Sequence, residues 1–413
     1  MSKFTSHRIA SILAACTLVA GAAWPSRQAD AQQVVSMSVS IGGPGSVDSG
    51  SMIPRRFVDR AAKATGMSAE QAEQAAAIHD GYASAYQARD KAYREALEEA
   101  QRDSDDSGDF TEFAKRLPPL EKAFSEDVAT LEAGFLSDVR SLLTSSQEAA
   151  WPKVERMRRR DVGLAAGSMS GESMDLISLV DGLDLPSADL AAVGPILEQY
   201  ELDLDRLMVA RLERGDDQVG WTPGKPVDVE QIQASMAKAK EEGMKVRDVH
   251  RDAARKVEAL LSEGARTAFR DRVQAASFPR VYRKGRTIRE LDAAAAMTDL
   301  DDAQRSQLAE LRASYERDAA PLNAAWAKAI EESEAEGQSG GAGGVVMLSF
   351  GNEPESLREA RKARRDLDEQ VSKRLRTMLS AAQKDRLPKA GQGDGGEGEG
   401  ELEGNAVIIR RSE

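Results

Sequence analysis

Apolar side chains recur along this chain at alternating steps of three and four. Leu190, Val193, Leu197, Tyr200, Leu204 and Leu207 form one such series, and Leu120, Phe124, Val128, Leu131, Phe135 and Leu142 form another. That spacing draws one stripe along an α-helix and is the seam of a coiled coil. Breaker-rich stretches interrupt the pattern at Asp103 to Asp109, Gly215 to Pro226 and Gly337 to Pro354, where Gly, Pro and clustered Asp favour turns. The pattern therefore predicts long helices paired as antiparallel hairpins. A helix running from Ser68 to Gln101 would be about 50 Å long at 1.5 Å per residue.

The hairpins are copies of one another. Met67-Ser68-Ala69-Glu70-Gln71, Leu185-Pro186-Ser187-Ala188-Asp189 and Leu300-Asp301-Asp302-Ala303-Gln304 open three segments. Leu143-Thr144-Ser145-Ser146-Gln147, Leu261-Ser262-Glu263-Gly264-Ala265 and Leu379-Ser380-Ala381-Ala382-Gln383 close them. The opening boxes lie 118 and 115 residues apart and the closing boxes 118 and 118. Tyr82, Tyr200 and Tyr315 keep step with the opening boxes, and Trp151, Phe269 and Leu387 with the closing ones. A short apolar segment precedes each opening box: Phe57 to Thr65, Met174 to Leu183 and Leu291 to Met297. A repeat this long is a supersecondary unit rather than a short solenoid motif.

The expected fold is all-α: three tandem long antiparallel helical hairpins with Gly-rich or acidic tips and flexible termini. The divisions are a signal peptide over 1–31, a flexible segment over 32–56, and hairpin units over 57–160, 161–282 and 283–390. A Gly/Glu-rich tail over 391–413 completes the chain.

Each box has a chemical reason. A Ser, Thr or Asp at the cap position can accept a hydrogen bond from the amide three residues on, while a Gln there reaches back to the amide of the cap. Ser68 with Gln71, Thr144 with Gln147, Asp301 with Gln304 and Ser380 with Gln383 offer this pairing, at about 1 kcal/mol for each capped end. The second copy is degraded, because Pro186 has no N–H and Ala265 cannot close on Ser262. Met67, Leu143, Leu185, Leu261, Leu300 and Leu379 anchor the chain entering each box. These roles are architectural and none is catalytic.

The paired boxes, the long helices and an export signal at the N-terminus together resemble the LTxxQ-motif proteins, the Spy/CpxP-type family of periplasmic chaperones and stress adaptors. Leu143-Thr144-Ser145-Ser146-Gln147 matches the motif in full and the other boxes are relaxed versions; the likeness covers most of Phe57 to Lys389. The resemblance implies helical hairpins that dimerise into curved cradles and hold unfolded clients without ATP or restrain envelope-stress kinases. Some members bind zinc. This chain departs from the family in carrying three units and in being acidic where the chaperone's cradle is basic.

Charge and targeting narrow the partners. With 56 Lys and Arg against 69 Asp and Glu, the net charge of -13 disfavours a nucleic-acid partner and suits basic clients. Lys3, His7 and Arg8, the apolar run Ile9 to Trp24 and Ala29-Asp30-Ala31 follow the order of a secretory signal. Cleavage near Ala31 places the mature protein in the periplasm or outside the cell. It removes Lys3, Arg8, Arg27 and Asp30, takes the net charge to -15, and removes the only cysteine. Leu13-Ala14-Ala15-Cys16 resembles a lipoprotein box, so a membrane tether exists only if Cys16 is lipidated. The apolar residues Thr17 to Trp24 would then begin the mature chain, which favours Cys16 as a small hydrophobe of the signal.

Reactive constellations are sparse. His79 and His250 have neither a second His nor a carboxylate at i±4, and are expected on helix surfaces. Asp103-Ser104-Asp105-Asp106-Ser107-Gly108 follows the first positions of an EF-hand loop, but Ala114 stands where the bidentate Glu belongs, so an acidic turn is expected. Arg156, Arg158, Arg159 and Arg160 read as the cationic end of the first hairpin, with a phosphate or lipid patch as the alternative. Val35 to Ile41, Val345 to Leu348 and Val407 to Ile409 are strand-like and could pair as a small sheet. Trp221, Val346, Leu348 and Phe350 are apolar residues in predicted loops and are the expected partner contacts. The seams suggest filled interiors, so no enzyme activity, cofactor or metal is expected. The sequence points to an exported protein that binds other envelope proteins or unfolded clients, with homodimers in view. A structural spacer or scaffold is the alternative.

Overall fold

The computed structural model describes residues 36–37, 51–107, 110–165, 167–214, 229–336, 354–388 and 407–408. The described residues are all-α apart from one pairing: β1 (Ser36–Met37) lies antiparallel to β2 (Val407–Ile408), with Ser36 opposite Ile408. These are two of the three strand-like segments; Val345 to Leu348 lies outside the described residues.

The chain divides into two compact units, one built from 43–167 and 172–269 and the other from 1–42, 168–171 and 270–413. The first opens with α1 (Arg55–Thr65), the 39-residue α2 (Ala69–Ser107) and α3 (Phe110–Ser141). It continues through α4 (Ser145–Glu148), α5 (Trp151–Ala165), α6 (Leu176–Asp181), α7 (Ser187–Arg214) and α8 (Val229–Leu260). The division between units falls within α9 (Glu263–Ser277). The second unit holds α10 (Pro279–Tyr282), α11 (Arg286–Ala295), α12 (Asp302–Glu336), α13 (Glu355–Met378) and α14 (Ala381–Lys384).

Adjacent long helices pack densely in pairs, α2 with α3, α7 with α8 and α12 with α13. Each pair buries the stripe that the three-and-four spacing draws, because that face alone is continuous and apolar. In the first unit Ala75 and Tyr82 of α2 meet Phe135 and Val139 of α3, and α1 adds Phe57, Val58 and Ala61 while α5 adds Trp151 and Val154. In the second unit Leu308, Leu311 and Tyr315 of α12 meet Val371 and Leu375 of α13, under Leu291 and Ala294 of α11. The short apolar segments ahead of the opening boxes are thus the helices α1, α6 and α11, each covering the base of a pair. Gly66 ends α1 at φ 67° and returns its amide to Ala62 and Lys63. A left-handed residue is needed there to stop the helix before the box, and glycine adopts it without a Cβ penalty.

Two expectations change. Asp103 to Ser107 do not form an acidic turn: they continue α2, and Asp103 pairs with Arg116 of α3 at 2.6 Å. The cross-helix ion pair favours one more turn of helix over the loop an EF-hand would need. Leu190 leaves the α7 seam for solvent, 43% exposed, while Met208 rather than Leu207 is fully buried.

Candidate functional site

The two boxes of a helix pair form one structure. Gln71 accepts at Oε1 from the Ser68 amide at 2.8 Å, and Gln147 accepts from the Thr144 amide at 2.9 Å, so each Gln closes its own box. Each side chain also crosses to the other arm. Gln71 Nε2 donates to Gln147 Oε1 at 2.9 Å and to the Leu142 carbonyl at 2.6 Å; Gln147 Nε2 donates to Gln71 Oε1 at 3.0 Å and to the Gly66 carbonyl at 2.7 Å. The result is a reciprocal clasp in which both amide groups satisfy helix-end carbonyls that have no partner within their own helices.

The clasp is rebuilt in α12–α14. Gln304 closes on Asp301 and Gln383 on Ser380, Gln304 Nε2 reaches Gln383 Oε1 at 3.1 Å and the Met378 carbonyl at 2.9 Å, and Gln383 Nε2 reaches the Asp299 carbonyl at 3.2 Å. The degraded second copy has a simpler solution. Asp189, at the position of Gln71 and Gln304, accepts from the Ser262 hydroxyl at 2.6 Å and its amide at 3.3 Å, and Arg266 covers the Leu261 carbonyl at 3.0 Å. One carboxylate thus serves the cap that Ala265 cannot. Of the anchoring residues, Leu261, Leu300 and Leu379 are buried, while Met67, Leu143 and Leu185 are half-buried.

Above each clasp the repeated tyrosine is buried and its hydroxyl is satisfied, with a different partner each time. Tyr82 accepts from the Ile53 amide at 3.1 Å. Tyr200 accepts from the Leu176 amide at 3.3 Å and meets His250 Nδ1 at 2.9 Å. Tyr315 donates to Asp368 at 2.7 Å and accepts from Arg364 at 2.6 Å. Burial holds all three phenols above their ordinary range, helped by the charges of Glu132, Asp175 and Asp368 respectively, so they stay protonated at neutral pH. Glu132, His250 and Asp368 are themselves spaced by 118. That ionisable position opposite the tyrosine is a repeat signal the box spacing alone did not reveal.

Both histidines are core residues, not surface ones. His79 bonds the Ile53 carbonyl at 2.8 Å and stands edge-on to Phe135; His250, 0% exposed, bonds the Glu172 carbonyl at 3.0 Å through its second nitrogen. Burial lowers the His250 pKa to about 4, only partly offset by the bond to Glu172 and the charge of Asp175. The reason surface placement fails is that each imidazole satisfies backbone groups leading into α1 or α6, which the sequence leaves without visible partners.

The arginine run also lies elsewhere than expected. It sits inside α5, not at a helix end, and every member is ion-paired. Arg156 meets Glu201 at 3.0 Å, Arg158 grips Glu132 with two bonds, Arg159 grips Asp205 with bonds of 2.7 and 3.0 Å, and Arg160 meets Asp175 at 3.1 Å and Glu201 at 3.4 Å. Arg60 of α1 adds a pair with Asp161. These cations are matched by carboxylates of α3, α7 and the turn before α6, so they do not make an open phosphate patch. Closer to the axis, Gly163 of α5 lets α7 approach so tightly that a Cβ there would overlap Met208 Sδ.

The described residues also show an open cleft of about 460 Å3 on the second unit. Ala319, Ala320, Asn323 and Arg364 line it from α12 and α13, Val281 and Tyr282 from α10. No box residue lines it. Cys16, Trp221, Val346, Leu348 and Phe350 lie outside the described residues. Among the described helices none is long and apolar enough to cross a membrane. No family model, curated protein or solved structure matches the chain.

Proposed function

We propose that this is an exported, non-enzymatic protein-binding protein of the bacterial envelope, a holdase-like chaperone or stress adaptor built from three tandem hairpins of the LTxxQ type. The observation that carries the reading is the reciprocal Gln71–Gln147 clasp and its recurrence as Gln304–Gln383. It gives the paired motif a physical purpose: fastening the open ends of a long helical pair so that its flanks remain available for contact. Placement of exposed apolar residues supports a binding role. Leu190, Leu202, Met244 and Leu260, all on α7 and α8, are the large apolar side chains most exposed among the described residues.

The mature chain, starting near Gln32, is expected to slow the aggregation of a heat-unfolded model substrate at near-stoichiometric ratios without nucleotide, read by light scattering. Unchanged aggregation together with retention of a single envelope partner would favour a spacer instead. The ion-paired contact of α5 with α7 supports that second reading, since a stiff joint suits a connector. Trp221, Val346, Leu348 and Phe350 remain the proposed partner contacts, and deletion of 337–351 is expected to weaken client binding. Export itself is tested by the N-terminal sequence of the protein recovered from the periplasmic fraction, expected to begin near Gln32.

A further inference from the structure

The first hairpin carries aromatic side chains that its core does not account for. Three of the six tyrosines of the chain, Tyr82, Tyr86 and Tyr93, lie on α2. Tyr82 is buried with Phe135 in the core already described, whereas Tyr86 and Tyr93, together with Phe124 of α3, are only half-buried. Tyr93 lies flat on Phe124, with ring centroids 4.5 Å apart and planes inclined by 13°, and Tyr86 stands edge-on to the same ring at 6.2 Å. The face of Tyr93 turned away from Phe124 is electron-rich.

Beside this stack lies a carboxylate with nothing to balance it. Glu121 precedes Phe124 by one turn on the same face of α3, and burial followed by the charge of Glu121 holds the Tyr93 phenol above its ordinary range. Glu121 is itself half-buried, and among the described residues no hydrogen bond or ion pair reaches it. Burial raises its carboxyl with no cation to offset the effect. The neighbouring cations are all engaged elsewhere: Arg89 by Asp127, Lys91 by Glu95, Arg94 by Asp90 and Lys122 by Glu126. From Arg89 to Asp127 the chain carries seven cations and twelve carboxylates, so no positive charge is left over. A half-buried carboxylate without a partner costs free energy. The repeat does not require that cost, because steps of 118 place Ala239 and Leu357 where Glu121 stands. The carboxylate beside an aromatic stack is an addition made in the first copy alone.

We infer that Glu121, Tyr93 and Phe124 receive the guanidinium of an arginine on a basic, extended segment of a partner protein. The planar cation lies on the outer face of Tyr93 and donates to the Glu121 carboxylate, supplying the one charge that the hairpin lacks. Arginine suits the place better than lysine because it can stack and form paired hydrogen bonds at once. This site names a client class for the protein-binding reading and rests on that reading for its partner.

The probe is a short unstructured peptide of glycine, serine and leucine with arginine at every third position, titrated calorimetrically into the mature full chain. Its citrulline analogue keeps the shape and loses the charge. The arginine peptide is expected to saturate, to bind about tenfold more tightly than the citrulline peptide, and to weaken as salt is raised. Glu121→Gln should weaken it about tenfold while the thermal melt does not fall, since the change removes a desolvated charge. Tyr93→Leu, which keeps apolar bulk without the π face, should weaken it about fivefold. Glu98→Gln takes the same charge from an exposed site on α2 and should change the affinity less than about twofold. Equal binding of the two peptides, no saturable binding, or equal losses at Glu121 and Glu98 would overturn the proposal. Slowed aggregation of a model substrate without peptide binding would remove this site and leave the client-binding reading standing; peptide binding without slowed aggregation would do the reverse.

Discussion

The α5–α7 contact and the α10–α12 contact occupy matching places in the repeat and have opposite characters. The first is closed by a glycine against Met208 and by arginines that each find a carboxylate; the second leaves an open cleft lined by small residues of α12 and by Arg283, Lys284 and Glu316. The difference teaches that the end of a helix pair is always satisfied, by Gln–Gln in two copies and by Asp189 with Ser262 in the other, while the flank is free to change. Unsatisfied polar groups at such an end carry a desolvation penalty. A packed flank can shed side chains one at a time, each time leaving space that another group can use.

The comparison breaks most visibly at its charged centre. Arg160→Leu keeps apolar volume but takes from the largely buried Asp175 its nearest cation, while Glu201 keeps Arg156; the first unit should lose about 3 kcal/mol, measured as a fall in its urea midpoint. A midpoint shift below a quarter of that would mean the network is solvated and contributes little.

The next effect is a pH dependence confined to the first unit. His250 has a folded pKa of about 4 against an ordinary value of 6.5, so the unfolded chain binds more protons between these values. Its contribution is therefore complete above about pH 6.5 and is lost as pH falls toward about 4, at most about 3 kcal/mol. Urea midpoints collected across that window should decline for the wild-type chain and decline less for His250→Gln. Parallel slopes would place the imidazole in water.

Two matched substitutions sharpen the contrast with opposite signs. Gly163→Val forces Met208 aside and should destabilise by about 1–3 kcal/mol. Ala319→Leu fills space and should stabilise by about 0.5–2 kcal/mol. Thermal melts that move the same way for both would mean the two contacts are equally packed. The smallest expected effect is at the clasp: Gln147→Ala should cost about 1 kcal/mol. A double-mutant cycle with Gln71→Ala should return a coupling of about 0.5–1.5 kcal/mol, whereas additive effects would mean the two boxes act separately.

Much of the helical framework was legible because the three-and-four spacing depends only on which face is apolar, as at Val193, Tyr200 and Leu204. The boxes were legible because capping is local: Ser380 and Gln383 meet within one turn. Their cross-arm bonds were not, since the partner of Gln71 lies 76 residues away. His79, His250 and the α5 arginines were misplaced for the same reason. A polar residue at a helical position can be buried or solvated, and only its distant partner decides which. The cleft had a sequence trace in Ala319 and Ala320, which align with Leu204 and Asp205 at the repeat offset of 115. Small residues reveal space only once the facing helix is known.

Hydrogen exchange on the mature chain tests most directly whether the two matching contacts have diverged into a closed and an open form. Amides of α5 around Met157 to Leu164 and of α7 around Tyr200 to Arg211 should exchange slowly. Those of α10 and of α12 around Tyr315 to Ala324 should exchange faster. Equal protection of the two regions would contradict the account.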